Sequence, residues 1–446
     1  MKWVWLGLVV SARLFGAEPA IHIPFEKYKL GNGLRVVLAR DSSVPVVAVY
    51  VMYDVGARVE EKGRTGFAHL FEHMMFEGSA NVKKGEHFSY ISASGGEVNG
   101  STHLDYTDFY ETLPSNRLAL ALWLESDRMR SLAITEENLK IQKEAVLQER
   151  LRDFSQPYRE AIAEWPGFAF GNFHNAHPVM GSSPDDLDTA TLDDVLKFFR
   201  TYYAPNNAVV AISGDFDPAE AKKLVGGYFG DIAAEPLPKR PDLTETPRAE
   251  GKTTTVKDPI ARVPALIAGW PAPARHSADW YAIEMIDAVL TSGESARLKL
   301  QMVKGRQSLL QADANLGWPA GTAVDFREPG DYATIFVYKP NFSANEILDE
   351  YQTEIDRIAR DGVGATELGR VKALLRYQMA SGVQTALSRA KLLAIGELMD
   401  GDAGGAEKDA ANLLSVTSEQ MAAAAKKYLA AGRRDVMVIE PAGARQ

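Results

Sequence analysis

Cysteine is absent from this chain of 446 residues. That excludes disulfides, thiolate nucleophiles and every cysteine-built zinc site. A surplus of positive charge is also missing. Lys and Arg number 49 against 59 Asp and Glu, leaving a net charge of −10 and a pI near 5.5. Nucleic acid and anionic membrane surfaces are bound through basic patches, so neither is expected as a partner. Beyond the N-terminus no run is apolar enough to cross a bilayer. What remains is an ordinary globular composition, 46% hydrophobic and 24% charged, long enough for two or three domains.

The one apolar stretch opens the chain. Met1-Lys2 followed by Trp3 to Ala12 is a short basic start and a hydrophobic run, the pattern of a secretory signal. Residues 1–20 are assigned to it, which implies a periplasmic protein without a membrane span once the signal is removed. Arg13 interrupts the run, and cleavage after Ala17 would leave bulky Phe15 where a small residue is preferred. An uncleaved anchor is therefore the alternative.

His69-Leu70-Phe71-Glu72-His73 is the most informative stretch. On a helix, positions i, i+3 and i+4 share one face, so His69, Glu72 and His73 can point at one spot. Two neutral imidazoles make a pair of zinc ligands, and a carboxylate beside them can act as general base toward an activated water. This is the inverted zinc-peptidase order. A third protein ligand is required, and the helical segment from Gln142 to Arg150 offers two glutamates. Glu149 has a modest edge by spacing, and Glu144 remains its rival.

The chain resembles the pitrilysin-type (M16) metallopeptidases, in particular the shorter bacterial branch related to mitochondrial processing peptidase. The resemblance begins at Leu30-Gly31-Asn32-Gly33-Leu34 and passes through Gly56-Ala57-Arg58, Gly66-Phe67-Ala68 and His69 to Gly78. It continues through Gly95-Gly96-Glu97-Val98-Asn99, Asp105-Tyr106-Thr107, His177-Pro178, Tyr203-Ala204-Pro205-Asn206-Asn207 and Ile212-Ser213-Gly214-Asp215. It implies one zinc ion per chain, held by His69, His73 and Glu149, with Glu72 as catalytic base. It also implies a substrate contact at Asn99, on a strand edge to which a peptide would add as an extra strand. Gln142 stands where many relatives carry a second glutamate, and can still orient a ligand by hydrogen bonding. His103, His174 and His177 are not at ligand spacing; they are read as structural or surface histidines.

Organisation is bipartite. Residues 21–234 carry the motif, 235–255 form a linker rich in Pro, Lys, Glu and Thr, and 256–446 repeat the first half loosely. Tyr281 to Leu290 overlays Phe67 to Phe76, placing Ile283, Ile286 and Asp287 where His69, Glu72 and His73 stand; Val436 to Ile439 echoes Val209 to Ile212. The second half is thus expected to lack a metal site. The resemblance implies an α+β fold. Each half would be a mostly antiparallel sheet with helices packed on one side, the two together forming half of a clamshell.

Self-sufficient relatives carry an arginine followed shortly by a tyrosine in the second half, and these hold the substrate near the zinc. Here Arg306 is available, but no tyrosine appears until Tyr332. The resemblance therefore implies a zinc endopeptidase subunit acting on peptides or unfolded segments, completed by a second M16-type subunit in a heterodimer, or otherwise by a second copy of itself. The alternative is a structural or chaperone-like relative without turnover, which the intact set of His69, Glu72, His73 and Glu149 disfavours.

Overall fold

The computed structural model describes residues 21–319, 321–327 and 330–443; the segment read as a signal, 1–20, lies outside them. One sheet holds β1 (Glu26–Lys29), β2 (Arg35–Arg40), β3 (Val46–Tyr53), β4 (Glu97–Thr102), β5 (Thr107–Pro114) and β6 (Ala208–Gly214), in the spatial order β1-β2-β6-β3-β5-β4. The other holds β7 (Thr253–Asp258), β8 (Ala265–Pro271), β9 (Leu309–Leu316), β10 (Asp331–Tyr338) and β11 (Asp435–Pro441), in the order β7-β11-β8-β10-β9. With β1 set aside, the two orders correspond strand for strand. In each half the last strand lies beside the first and parallel to it, β6 to β2 and β11 to β7, and the other pairings are antiparallel. The sheets are therefore mixed rather than purely antiparallel. A parallel neighbour needs a long crossover, and the helices preceding β6 and β11 supply it.

The first half contributes α1 (Phe67–Met74), α2 (Glu86–Ala93), α3 (Leu118–Ser131), α4 (Glu136–Phe154) and α5 (Arg159–Ala169). Helix α1 is the first α-helix after β3, and the helix Ala278–Thr291 takes the same place after β8. The segments Val209 to Ile212 and Val436 to Ile439 likewise fall in matching strands.

Strand β3 reads Val-Val-Ala-Val-Tyr-Val-Met-Tyr, without polar alternation, because both of its faces are buried. A period of two divides its side chains between two cores. Val47, Val49, Val51 and Tyr53 pack with Phe67 and Phe71 of α1 and Leu122 of α3. Ala48, Tyr50 and Met52 pack the other way, against Ala390, Leu393 and Ala394 of the helix Ala386–Asp400, which belongs to the second half. The second sheet repeats the arrangement. Leu266, Ala268 and Trp270 face its own helices, whereas Ala265 and Ile267 face Ala161 and Trp165 of α5.

Each half thus packs its own helices on one face and lends one helix to the far face of its neighbour. The two lent helices hold the same place in the repeat, each the third α-helix after β5 or β10. Trp165 is almost wholly buried and donates its indole N–H to Asp331 at 2.6 Å. The stretch read as a linker carries no helix or strand until β7 begins at Thr253, yet it is tied to the first half. Arg240 pairs with Asp54, and Glu245 accepts from the Gly171 amide at 2.9 Å and from Asn175 Nδ2 at 2.8 Å. Among the described residues no helix is long and apolar enough to cross a membrane.

Candidate metal centre

Helix α1 starts abruptly at Gly66, whose φ of 87° lies in the left-handed region that glycine tolerates. No side chain at that position caps the helix. Glu60 does so from the preceding loop, accepting from the Gly66 amide at 2.9 Å and the Ala68 amide at 2.8 Å. A carboxylate at a helix N-terminus satisfies orphan N–H groups and complements the helix dipole. His177 Nε2 lies 3.2 Å from Glu60, and its two nitrogens lie 2.8 Å from the carbonyls of Ala57 and Phe173. Burial alone would push the His177 pKa down, but the hydrogen bond and charge of Glu60, with both carbonyls, carry it above its ordinary value. His177 is therefore structural in the strict sense: it braces the start of the helix that carries the motif.

Residues His69, Glu72 and His73 emerge on one face of α1, which packs on α4. His73 Nε2 is 3.2 Å and His69 Nε2 is 3.7 Å from Glu149 Oε2, and the three groups converge within 4.8 Å. The longer distance exceeds hydrogen-bond range. Ligands about 2.0–2.1 Å from a tetrahedral zinc stand roughly 3.3–3.5 Å apart. The spacing and the His₂Glu donor set therefore both fit zinc. Packing also separates the two glutamates. Glu144 is exposed and faces a separate surface cleft with Lys140 and Lys143, while Glu149 lies beside the imidazoles.

Electrostatics favour a ligand role for His69. Burial, followed by the neighbouring His73, pushes its pKa down to about 4 against the pull of Glu149, so the ring is neutral at pH 7. Its Nδ1 is buried and has no hydrogen-bond partner among the described residues. His73 differs. Its Nδ1 lies 3.1 Å from Gln142 Oε1, and Gln142 Nε2 donates to Glu77 at 2.7 Å. Glu72 accepts from the Thr102 hydroxyl at 2.7 Å. Burial raises its pKa, partly opposed by that hydrogen bond.

Asn99 is exposed on β4, the terminal strand of its sheet, and its Oδ1 accepts from the Gly100 amide at 2.9 Å. Thr102 stands three residues further along the same strand, so β4 runs from Asn99 to the contact with Glu72. His103 stacks on Tyr106 with ring centroids 4.2 Å apart, and neither it nor His174 joins the cluster. The residues that sequence reasoning missed are Glu60, Glu77 and Thr102. Each acts through a neighbour, and only the Gly-Ser-Thr continuation after Asn99 offered any local signal, a polar run on a strand edge.

A second histidine–carboxylate group, His87, Glu111 and Glu125, is fully buried. Its cation is already present. Arg128 grips Glu125 with Nε at 2.9 Å and lies over the rings of Phe109 and Phe76, 4.3 and 5.1 Å from their centroids. Burial, then Arg128, pushes His87 down to about 3, and burial raises Glu111 and Glu125. These residues lock α2, α3 and β5 together rather than offering a metal cavity.

In the second half, Ile283 and Ile286 are buried and apolar, and no metal-binding group occurs there among the described residues. Arg306 is committed: it pairs with Glu346 at 3.0 Å and with Glu350, over the ring of Phe342. Tyr332 is buried, donating to Asp287 at 3.3 Å. The Arg306 side chain is nevertheless half-exposed at the surface.

A duplicated two-sheet scaffold with one His-His-Glu cluster and an adjacent carboxylate defines the class. Residues 35–165 match the profile described as Insulinase (Peptidase family M16), and residues 189–375 match the one described as Peptidase M16 inactive domain. The chain belongs to the M16 peptidase family. It is 26% identical over 378 residues to the zinc protease PqqE of Helicobacter pylori, covering 83% of this chain and 82% of that protein. It is 27% identical over 419 residues to an uncharacterized zinc protease of Streptomyces coelicolor, covering 92% and 88%. The crystal structure of a protease from Helicobacter pylori superimposes with a TM-score of 0.87 at 23% identity, over 94% of this chain and all of that one.

Proposed function

We propose that this chain is the zinc-bearing subunit of a periplasmic endopeptidase that hydrolyses peptides or unfolded segments. The observation that carries this reading is the convergence of His69 Nε2, His73 Nε2 and Glu149 Oε2 beside Glu72. One zinc ion held by these three residues would supply Lewis acidity and lower the pKa of water. Glu72 has one oxygen fixed by Thr102, which leaves the other to take a proton from the attacking water and pass it to the leaving amide nitrogen. Burial lifts the Glu72 pKa, which suits a group that must both accept and release a proton. The free edge of β4 can receive the substrate backbone as an added strand, with Asn99 at one end and Glu72 beside the other.

Partner dependence follows from the second half. Arg306 pairs with Glu346 and Glu350 and Tyr332 is buried against Asp287, which supports the reading that the substrate-holding groups come from a second subunit of the same family or a second copy of this chain. The test is cleavage of a quenched fluorescent peptide by the purified chain, with zinc and with a chelator. Silence from a chain that retains zinc, relieved by adding the partner, is expected; chelator-sensitive cleavage by a monomer would remove the partner from the account. Chelator-insensitive cleavage would remove the zinc. Cell fractionation with N-terminal sequencing tests the periplasmic assignment, which a full-length cytoplasmic product would contradict.

A further inference from the structure

Gln142 joins two groups that can each be read chemically. Its amide has an acceptor end and a donor end, and turning it over exchanges them. The carboxylate of Glu77 only accepts hydrogen bonds, so the end 2.7 Å from it must be the NH₂ group. The carbonyl end then faces His73 Nδ1 at 3.1 Å, and that nitrogen must carry the proton. In the neutral ring Nε2 is then left with its lone pair, 3.2 Å from Glu149 Oε2, where a metal would be held between the two. Glu77 is itself held in place. It is 8% exposed, its other oxygen pairs with Lys84, and Asn138 of α4 bonds its carbonyl at 3.4 Å.

We propose that Glu77 is a positioning residue that selects the metal-binding tautomer of His73 by fixing the orientation of the Gln142 amide. A carboxylate at position 142 would accept from His73 Nδ1 in either orientation and would need no such control. The amide present here can turn either way, and Glu77 supplies the missing polarity from one residue further out. His69 has no counterpart to this relay among the described residues, where its Nδ1 lacks a partner. The effect is therefore specific to one of the two imidazoles.

The proposal rests on His73 being a metal ligand, and its test separates the two claims. The full chain is labelled with ¹⁵N-histidine, freed of metal, and the His73 tautomer is read from its nitrogen shifts, assigned with a His73→Ala control. Zinc affinity is measured separately by competition with a chromophoric chelator. Glu77→Gln, which can accept or donate, should give a mixture of tautomers and a loss of a few-fold in affinity. Glu77→Lys, which can only donate, should invert the amide, move the proton to Nε2 and weaken zinc about 10–100-fold, the range seen when ligand-orienting groups are lost. Adding Gln142→Glu to Glu77→Lys should restore the Nδ1–H tautomer and most of the affinity, because a carboxylate at 142 no longer depends on position 77. An unchanged tautomer in Glu77→Lys, or a double variant as weak as that single one, would overturn the proposal. Wild type that binds no zinc would overturn the metal assignment, while the tautomer measurement still decides the role of Glu77.

Discussion

The two halves share one order of five strands and carry different side chains on a matching helix. After β3 comes a helix bearing His69, Glu72 and His73; after β8 comes a helix bearing Ile283, Ile286 and Asp287. The first presents two imidazole nitrogens to a glutamate on α4. The second buries two isoleucines in its core and turns its carboxylate to Tyr332 and Thr291. Burial carries the Asp287 pKa up to about 7. The fold alone therefore does not supply the His-His-Glu cluster. It supplies a helix beside a central strand and a second helix packed on it, and the side chains decide whether that crossing carries a donor cluster or a core.

Substitutions at matched positions should break this symmetry most visibly. Glu72→Gln is expected to lower turnover by about 10³-fold or more with zinc content unchanged, within the range set by general bases; stoichiometry and kinetics on the same sample check it. Loss of zinc in that variant would mean Glu72 is a ligand. The lent helices come next. Trp165→Ala removes a buried indole and leaves Asp331 without its donor, and should cost about 3–5 kcal/mol in denaturant unfolding. Its counterpart Leu393→Ala should cost about 2–5 kcal/mol. A negligible effect at either would show that the exchange of helices is not what joins the halves.

Smaller effects sharpen the contrast. Thr102→Val removes the hydroxyl that lowers the Glu72 pKa, so the acid limb of the pH–rate profile should move to higher pH, with turnover down about tenfold. An unshifted limb would separate Glu72 from that titration. Asp287→Asn should leave zinc content and cleavage intact. The native carboxyl has a folded pKa raised by burial above its unfolded value, so stability is lost as pH rises from about 4 toward 7, where the unfolded carboxyl ionises and the folded one keeps its proton. The asparagine variant should therefore gain Tm relative to the parent over that window, and a relative loss would reverse the sign of this account.

Much of the site was legible because it is local. The i, i+3, i+4 spacing of His69, Glu72 and His73 is a statement about one helix, and the structure places all three on one face. Glu149 over Glu144 was not decidable from spacing, since the choice depends on which side of α4 meets α1. The duplication was visible in Val209 to Ile212 and Val436 to Ile439, but the exchange of α5 and the Ala386–Asp400 helix was not. Their apolar residues read as ordinary core, and nothing local says which sheet they cover. Glu77, Thr102 and Glu60 stayed hidden for a similar reason. Each is an ordinary polar residue until the chain brings it against Gln142, Glu72 or the start of α1.

The most direct test of the central claim is elemental analysis of the purified full chain beside its His73→Ala variant. The account predicts about one zinc per wild-type chain and almost none in the variant, because the second half has no ligand set of its own among the described residues. Wild type without zinc, or a variant that still carries it, would contradict the assignment of the metal to His69, His73 and Glu149.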